Sequence, residues 1–315
     1  MPPFPTPWCG SSRSVRYWVG ITDSDWFENL RRREFEEVNF WQPSWRAPRR
    51  MEAGWPFLFK LHSPRNYIVG GGFFVRFTAM PSFLAWHAFG EKNGVTTMPE
   101  LVQRVEKYRK TPQSTADLIG CNLLTSPFFF EEDDWIPIPK DWPRNVQRGY
   151  TYDTETPSGA TLWRRVQDQL ARKQIAEVVE EPLFGREFLT QARLGQGTFR
   201  ALVTEAYDRR CAVTGERSLS VLEAAHIRAH RAKGPNQTRN GLLLRADIHR
   251  LFDDGYVTVD PNLRFVVSPR LRDDFGNGRI YYGFSGKPLT SIPTQPEDRP
   301  APEFLEWHRD QIYVG

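Results

Sequence analysis

The residues best suited to chemistry are concentrated in one short window of the second half. His226, His230 and His249, three of only six histidines, lie there with Asn240, and Asp253 follows closely. This set contains a neutral imidazole that can act as a general base, nitrogen and oxygen ligands for a divalent metal ion, and an amide that can orient a loop. The window therefore indicates a catalytic site that uses acid-base and metal chemistry.

Two elements must position these side chains. The apolar run Val221–Ile227 predicts a strand that carries His226 near its end. Leu243–Phe252 predicts a helix, on which His249 and Asp253 stand four residues apart and share one face. We expect the strand and the helix to pack together and bring the three side chains to that face.

The residues in and around this window resemble a known family. The motif AHI at 225–227 and the run NGLLLRADIHRLFDDG at 240–255 resemble the HNH endonucleases of the ββα-metal fold, from about Phe199 to Phe265. The resemblance implies that His226 is the general base, Asn240 the central asparagine and His249 a metal ligand. It also implies hydrolysis of nucleic-acid phosphodiesters with one divalent cation, which could be Mg, Mn, Co, Ni or Zn. The expected ligands are His249, Asp253 and Asn240.

One position departs from the family pattern. Many members have an acidic residue or a histidine directly before the base, and this chain has Ala225 there. Glu223 is a poor substitute, because strand alternation puts it on the face opposite His226. Asp253 is the better candidate for the missing ligand, although its carboxylate could instead bond the turn at Gly255.

Basic residues surround this window and indicate contact with phosphate. They are Arg228, Arg231, Lys233, Arg239, Arg245 and Arg250. Among them we expect Arg228 and Arg245 to contact a DNA backbone, whereas His230 is either a solvated loop residue or a further phosphate contact.

The first half is mixed α and β and unusually aromatic. Strands are predicted at Arg16–Thr22, Phe57–Leu61, Tyr67–Thr78 and Leu118–Leu124, with a helix from Pro99 to about Lys110. Gly70-Gly71-Gly72 permits close approach by a neighbouring strand or by a ligand. The flanking segments predict a small pocket with an apolar floor and a basic rim. The expected DNA contacts here are His62, Ser63, Arg65, Pro81, Phe83, Ala85, Lys92 and Asn93.

The motifs of this half resemble a second family. WVGITDSDWF, EVNFWQPS, FKLHSP, IVGGGFF, AFGEKNG and DWIPIP are similar to the sulfur-binding domain of McrA-like type IV restriction endonucleases. The resemblance implies recognition of a DNA phosphorothioate, in which sulfur replaces one non-bridging oxygen. Sulfur is larger and less well hydrated than oxygen, so an apolar cup of Pro81, Phe83 and Ala85 beside cations would prefer it.

Two other functions remain open at this stage. A reader of the SRA or EVE type would stack a flipped 5-modified cytosine between aromatic rings, for which Trp18, Trp41, Phe83 and Trp86 are candidates. A non-catalytic DNA-binding protein with a decayed HNH fold is the other, and Ala225 favours it.

Length and composition set the frame for these expectations. A chain of 315 residues predicts two domains, and we expect an α+β protein with a modified-DNA-reading domain at 1–155, a helical linker at 156–197 and a ββα-metal HNH domain at 198–315. The net charge of +4 is only a mild indication of polyanion binding. Three scattered cysteines, the absence of a signal-peptide pattern and the absence of a long apolar run indicate a cytoplasmic protein with no membrane contact.

The expected partner is modified double-stranded DNA. One HNH site cuts one strand, so we also expect a homodimer, with the predicted helix Thr161–Ala176 as a candidate contact.

Overall fold

The first half forms one mixed sheet with helices on both faces. The computed structural model describes residues 14–48, 51–172 and 194–315. The strands of this half are β1 Arg16–Thr22, β2 Glu37–Gln42, β3 Pro56–Leu61, β4 Tyr67–Pro81, β5 Leu118–Phe129, β6 Ile136–Pro137 and β7 Gly149–Asp153. The helices are α1 Ser24–Arg31, α2 Ser82–Phe89, α3 Met98–Arg109 and α4 Pro157–Arg172. The four predicted strands and the predicted helix after Pro99 are confirmed.

The strand order is β2-β5-β4-β3-β1-β7, and the short β6 pairs with β4. Only β1 and β3 run parallel among the pairs of the described part, and every other pair is antiparallel. One face packs against α1, α2 and α3 through a large aromatic core. The other face packs against α4, whose Leu162, Trp163 and Val166 are buried there.

The predicted linker helix Thr161–Ala176 thus begins earlier, at Pro157, and packs onto the sheet of the first half. Its positions from 173 onward lie outside the described residues. The apolar face of this helix is covered by its own chain, so the surface it offers to a second copy is its polar face.

The glycine run in β4 is explained by strand packing. A Cβ atom on Gly71 would lie 2.6 Å from the Phe128 ring and 2.8 Å from the Phe57 carbonyl oxygen. A Cβ atom on Gly70 would lie 2.2 Å from the Phe128 carbonyl oxygen. Of the two explanations left open by the sequence, the close approach is therefore that of the neighbouring strands β3 and β5.

The second half contains two hairpins and five helices in the described residues. Its strands are β8 Leu222–His226, β9 Gly241–Arg245, β10 Val257–Val259 and β11 Phe265–Val267. Its helices are α5 Gln196–Ala206, α6 Ala246–Asp253, α7 Arg270–Phe275, α8 Arg279–Tyr282 and α9 Pro302–Gln311. β8 pairs with β9 and β10 pairs with β11, both antiparallel.

The predicted helix Leu243–Phe252 is wrong in its first turn. Leu243 pairs with Ala224 across the β8–β9 hairpin, and the helix begins only at Ala246. Leu242, Leu243 and Leu244 are all fully buried, which is the pattern of a strand covered on both faces. A short apolar run does not distinguish such a strand from a helix, so its pairing partner decides.

Helix α5 belongs to both cores. Ala201 and Leu202 pack in the core of the first half, whereas Phe199 and Val203 pack in the core of the second half. None of the helices in the three described ranges is long and apolar enough to cross a membrane.

The second core also buries a histidine of α9. His308 is 2% exposed and stacks on Phe252 with ring centroids 3.7 Å apart. Its Nε2 donates to the Phe252 carbonyl oxygen at 2.9 Å, and its Nδ1 accepts from the Thr258 hydroxyl at 2.9 Å. Burial lowers the pKa of His308 to about 4.

This histidine should make the second half lose stability in mild acid. Above about pH 6.5 both the folded and the unfolded chain hold it neutral. Below that pH this histidine binds a proton in the unfolded chain, whereas in the folded chain it stays neutral until the pH falls to about 4. The free energy of unfolding should fall across this window by up to about 3 kcal/mol. Urea unfolding from pH 7.5 to 4.5 measures the slope, which His308→Gln should flatten.

His87→Gln is the matched control, because His87 on α2 is exposed. It should follow the wild-type slope. An equal slope in His308→Gln and wild type would contradict the assignment of the acid sensitivity to His308.

Candidate active site

His226 is the last residue of β8 and is held on two sides. Its ring lies flat on Phe199 of α5, with centroids 3.9 Å apart and planes 14° apart. Its Nε2 is 2.8 Å from Asn236 Oδ1, and the Asn236 amide nitrogen donates to the Leu194 carbonyl oxygen at 2.5 Å. That second bond turns the amide oxygen toward the ring, so Nε2 must carry the proton. In this tautomer Nδ1 is the basic nitrogen.

Asn240 organises the loop between β8 and β9. It is fully buried, and its Oδ1 accepts from the Arg228 backbone N–H at 2.9 Å. Its Nδ2 donates to the Arg228 and Pro235 carbonyl oxygens at 3.0 and 2.9 Å. Both ends of the amide are thus used to close the loop that follows the base. This corrects the expectation that Asn240 is a metal ligand, and leaves it the role of orienting a loop.

His249 lies between two carboxylates. Its Nδ1 is 2.7 Å from Glu223 Oε2, and its Nε2 is 3.3 Å from Asp253 Oδ2. The expected shared face of His249 and Asp253 on α6 is confirmed. Glu223, which the sequence analysis set aside as a metal ligand, is absent from the sequence-based site. Strand alternation does turn it away from His226, but toward α6, where it reaches His249.

His226 and His249 contact different neighbours. Phe199 of α5 covers His226, while α6 contacts Glu223. The pKa of Asp253 on α6 is raised, chiefly by desolvation, and the negative charges of Asp254 and Glu223 contribute. The charge of Arg231, in the loop after His226, acts in the opposite direction and lowers the pKa of Asp253.

The donor chemistry of this cluster fits a divalent cation held by two side chains. With the Nδ1 proton donated to Glu223, His249 Nε2 is a lone-pair donor beside the Asp253 carboxylate, and catalytic sites commonly leave other positions to water and substrate. Among residues 14–48, 51–172 and 194–315, no group of three or more His, Cys, Asp or Glu side chains has the arrangement of a complete metal site. Ala225 is fully buried in the core and offers no ligand.

The two arginines expected to contact DNA are engaged within the protein. Arg245 makes two bonds to the Asp247 carboxylate, at 2.6 and 2.7 Å, and these lower the pKa of Asp247 to about 2. Arg228 donates through Nε to the Ala232 carbonyl oxygen at 2.8 Å and lies over the Trp307 ring. A carboxylate therefore neutralises the charge of Arg245, whereas Arg228 bonds a carbonyl oxygen and lies over an aromatic ring.

In the first half, the loop between β3 and β4 is accessible. His62, Ser63 and Arg65 are all exposed there. The loop is fixed from below by Lys60, which is 2% exposed and donates to Asn66 Oδ1 at 2.8 Å. These three predicted contacts are therefore displayed at the surface.

The other five predicted DNA contacts are buried or only partly exposed. Pro81, Ala85 and Asn93 are buried, and the Asn93 amide donates to the Ala85 carbonyl oxygen at 3.1 Å. Phe83 is partly buried against the core, and Lys92 pairs with Glu37 at 2.9 Å. The expected apolar cup of Pro81, Phe83 and Ala85 is thus packed inside the fold, and Pro81, Ala85 and Asn93 have no surface to offer DNA.

A cleft of about 280 Å³ lies elsewhere on the sheet, where Pro48 and Met51 face Phe74 of β4. None of the predicted contact residues lines it.

Sequence reasoning therefore missed three residues: Glu223, Asn236 and Phe199. Asn236 and Phe199 reach His226 from a loop and from another helix, so no local spacing marks them. Glu223 had a local signal, its position on β8, but its destination depended on where α6 packs.

Part of the chain matches the model of a known protein family. Residues 211–260 match the family model described as HNH endonuclease. A search of the curated proteins found no match. Among solved structures, the chain has a weak similarity to a "Modification dependent TagI restriction endonuclease", with 13% identity, 89% of this chain and 77% of that chain covered, and a TM-score of 0.27. A TM-score this low does not establish a shared fold. The matched residues 211–260 contain His226, Asn240, His249 and Asp253, so the part of the chain that is similar to the HNH endonuclease family is the part that carries the candidate site.

Proposed function

We propose that this chain is a metal-dependent HNH endonuclease that hydrolyses DNA with His226 as general base. The observation that carries the proposal is the contact of His226 Nε2 with Asn236 Oδ1 within the segment that matches the HNH family, because this contact favours the Nε2–H tautomer. A base held in one tautomer presents the same nitrogen to every substrate molecule.

The residues around His226 suit the proton transfer. Nδ1 takes a proton from the attacking water, and the ring becomes an imidazolium. The bond from Nε2–H to Asn236 Oδ1 then becomes charge-assisted and stronger, and the Phe199 ring face next to the imidazole favours a cation. The surroundings therefore stabilise the protonated form that the reaction produces.

The metal ion would be held by His249 Nε2 and the Asp253 carboxylate. Glu223, by accepting the Nδ1 proton of His249, fixes the orientation of the ring. When bound, such an ion neutralises charge on the phosphate and the leaving oxygen. Imidazole with carboxylate suits several ions, so Mg, Mn, Co, Ni and Zn all remain candidates.

The substrate we propose is modified double-stranded DNA, with residues 1–155 as the reader and 198–315 as the nuclease in a type IV restriction enzyme. The sulfur reading rests on the sequence resemblance of the first half and on the exposed loop of His62, Ser63 and Arg65. With Pro81 and Ala85 buried, Phe83 is the one member of the expected cup that is partly accessible for an apolar contact to sulfur. The base-flipping alternative loses Trp41, which is 8% exposed and donates to the Asn93 carbonyl oxygen.

The nuclease proposal predicts separate roles for the two histidines. His226→Ala should lower kcat by roughly 10²–10⁴ and leave the Kd for DNA nearly unchanged, because it removes the base and no binding contact. His249→Ala should raise the metal concentration needed for half-maximal cleavage, and Glu223→Gln should do so by about 10–100-fold. Cleavage of a labelled duplex across a metal titration measures both.

His87→Ala is the control for this series, since it removes an exposed histidine of the first half. Wild-type cleavage by His226→Ala at saturating metal would rule out His226 as the base.

The sulfur proposal predicts discrimination that persists in salt. We expect His226→Ala, which binds without cutting, to prefer a duplex with one stereodefined phosphorothioate over the unmodified duplex by about tenfold or more. The affinity for both duplexes should fall steeply with salt while their ratio stays constant. Arg65→Gln should weaken both, because it removes a phosphate contact.

A matched duplex with 5-modified cytosine completes the comparison. Equal affinity for the phosphorothioate and unmodified duplexes would end the sulfur proposal, and preference for the modified cytosine would support base flipping.

The homodimer remains a prediction, based on the need to cut two strands. Sedimentation of the DNA-bound protein at working concentration should show two protomers per duplex. A monomer that breaks both strands in one binding event would contradict it.

A further inference from the structure

A buried carboxylate joins the two halves of the chain. Glu37 of β2 is fully buried. Its Oε1 accepts from the Gly197 backbone N–H at 2.8 Å and from Lys92 Nζ at 2.9 Å, and its Oε2 accepts from the Thr198 backbone N–H at 2.8 Å. A carboxylate of the first sheet thus holds the first turn of α5.

This contact replaces a cap that the local sequence lacks. The first N–H groups of a helix have no partner within the helix, and the residue before α5 is Gly195, which has no side chain to accept them. A Cβ atom on Gly195 would lie 2.2 Å from the Glu37 carboxyl carbon, so a larger residue would displace the carboxylate. The negative charge also suits the helix N-terminus and is balanced by Lys92.

The same short segment holds the candidate base. Leu194, just before α5, accepts the amide N–H of Asn236, whose oxygen bonds His226. Phe199, in the first turn of α5, stacks on the His226 ring. Residues 194–199 are therefore attached to Glu37 on one side and to His226 on the other.

We propose that Glu37 is a positioning residue for His226. By fixing residues 194–199 to β2, it sets the ring orientation and the Nε2–H tautomer of a base that belongs to the other half of the chain. The inference rests on the proposed nuclease function for its consequence in catalysis, but its structural content is independent of it. It follows that a change in the sheet of the first half at Glu37 alters the orientation of the His226 ring.

The first test reads the His226 ring directly. In protein labelled with 15N-histidine, two-bond proton–nitrogen correlations show which ring nitrogen carries the proton, and His226→Gln assigns the signal. Without metal or DNA, wild type should show the Nε2–H form. Glu37→Gln, which replaces one acceptor oxygen by a donor, and Gly195→Ala, which displaces the carboxylate, should both shift the His226 signals toward a mixture of tautomers.

The matched control is Arg76→Gln. Arg76 of β4 pairs with Glu205 of α5 at 2.9 Å, so it also joins the first half to α5, but near the other end of the helix. It should leave the His226 signals unchanged. Gly195→Ala retains both Glu37 and Lys92, and it decides the question if Glu37→Gln does not fold.

The second test is kinetic. Glu37→Gln should lower kcat by about 10–100-fold with the Kd for DNA changed by less than about twofold, because a misplaced base costs rate and not binding. Asn236→Ala should have a similar effect. The double variant should lose little more than either single variant, since both act through His226.

The outcomes separate the two proposals. If wild type cuts no DNA, the nuclease proposal fails, while the tautomer experiment still decides the role of Glu37. Unchanged His226 signals in folded Gly195→Ala and Glu37→Gln, a wild-type ring protonated on Nδ1, or additive effects of Glu37→Gln and Asn236→Ala would each overturn the positioning role.

Discussion

The geometry of the candidate site depends on one helix that is buried on two sides. Helix α5 packs into the core of the first half through Ala201 and Leu202 and into the core of the second half through Phe199 and Val203. Such a helix cannot shift against one half without opening a cavity in the other, at a cost of several kcal/mol for residues of this size. Its first turn is fixed further by the buried Glu37 carboxylate. The position of Phe199 therefore depends on packing in both halves of the chain, and the His226 ring stacks on Phe199.

The β8–β9 hairpin divides the chemistry between two neighbours. Alternate residues of β8 point in opposite directions, so His226 reaches Phe199 of α5 while Glu223 reaches His249 of α6. Asn240 closes the loop that leaves β8, and Arg231 of that loop acts on Asp253. One short strand and its loop thus position both His226 and the carboxylate that contacts His249.

The parts of this arrangement that the sequence predicted are the local ones. The alternating aromatic strands of the first half, the end of β8 at His226 and the shared helix face of His249 and Asp253 each follow from spacing along a single element. The strand at Leu242–Leu244 was misassigned because an apolar run has no period of its own, and only its pairing with β8 defines it. Glu37, Asn236 and Phe199 were beyond sequence reasoning, since each acts on a residue brought near by tertiary packing. The prediction that Pro81 and Ala85 line an exposed cup was wrong for the same reason. Small apolar residues near the start of a helix can lie in the core or at the surface, and only tertiary packing decides which.

The missing ligand before the base has a physical explanation in the strand itself. Ala225 and Glu223 are two residues apart, so they point to the same face of β8, the face toward α6. A carboxylate at either position is directed at α6, and moving it two residues changes only which turn of the helix it meets. Glu223 meets His249, at 2.7 Å from Nδ1, and the space next to the strand end is filled by the buried methyl group of Ala225. Glu223 therefore provides a carboxylate on the same face as position 225, and this carboxylate contacts His249 through the Nδ1 atom of the ring. With Nδ1 engaged by Glu223, the other ring nitrogen of His249 lies 3.3 Å from the Asp253 carboxylate, so the two acidic residues approach the imidazole from opposite sides.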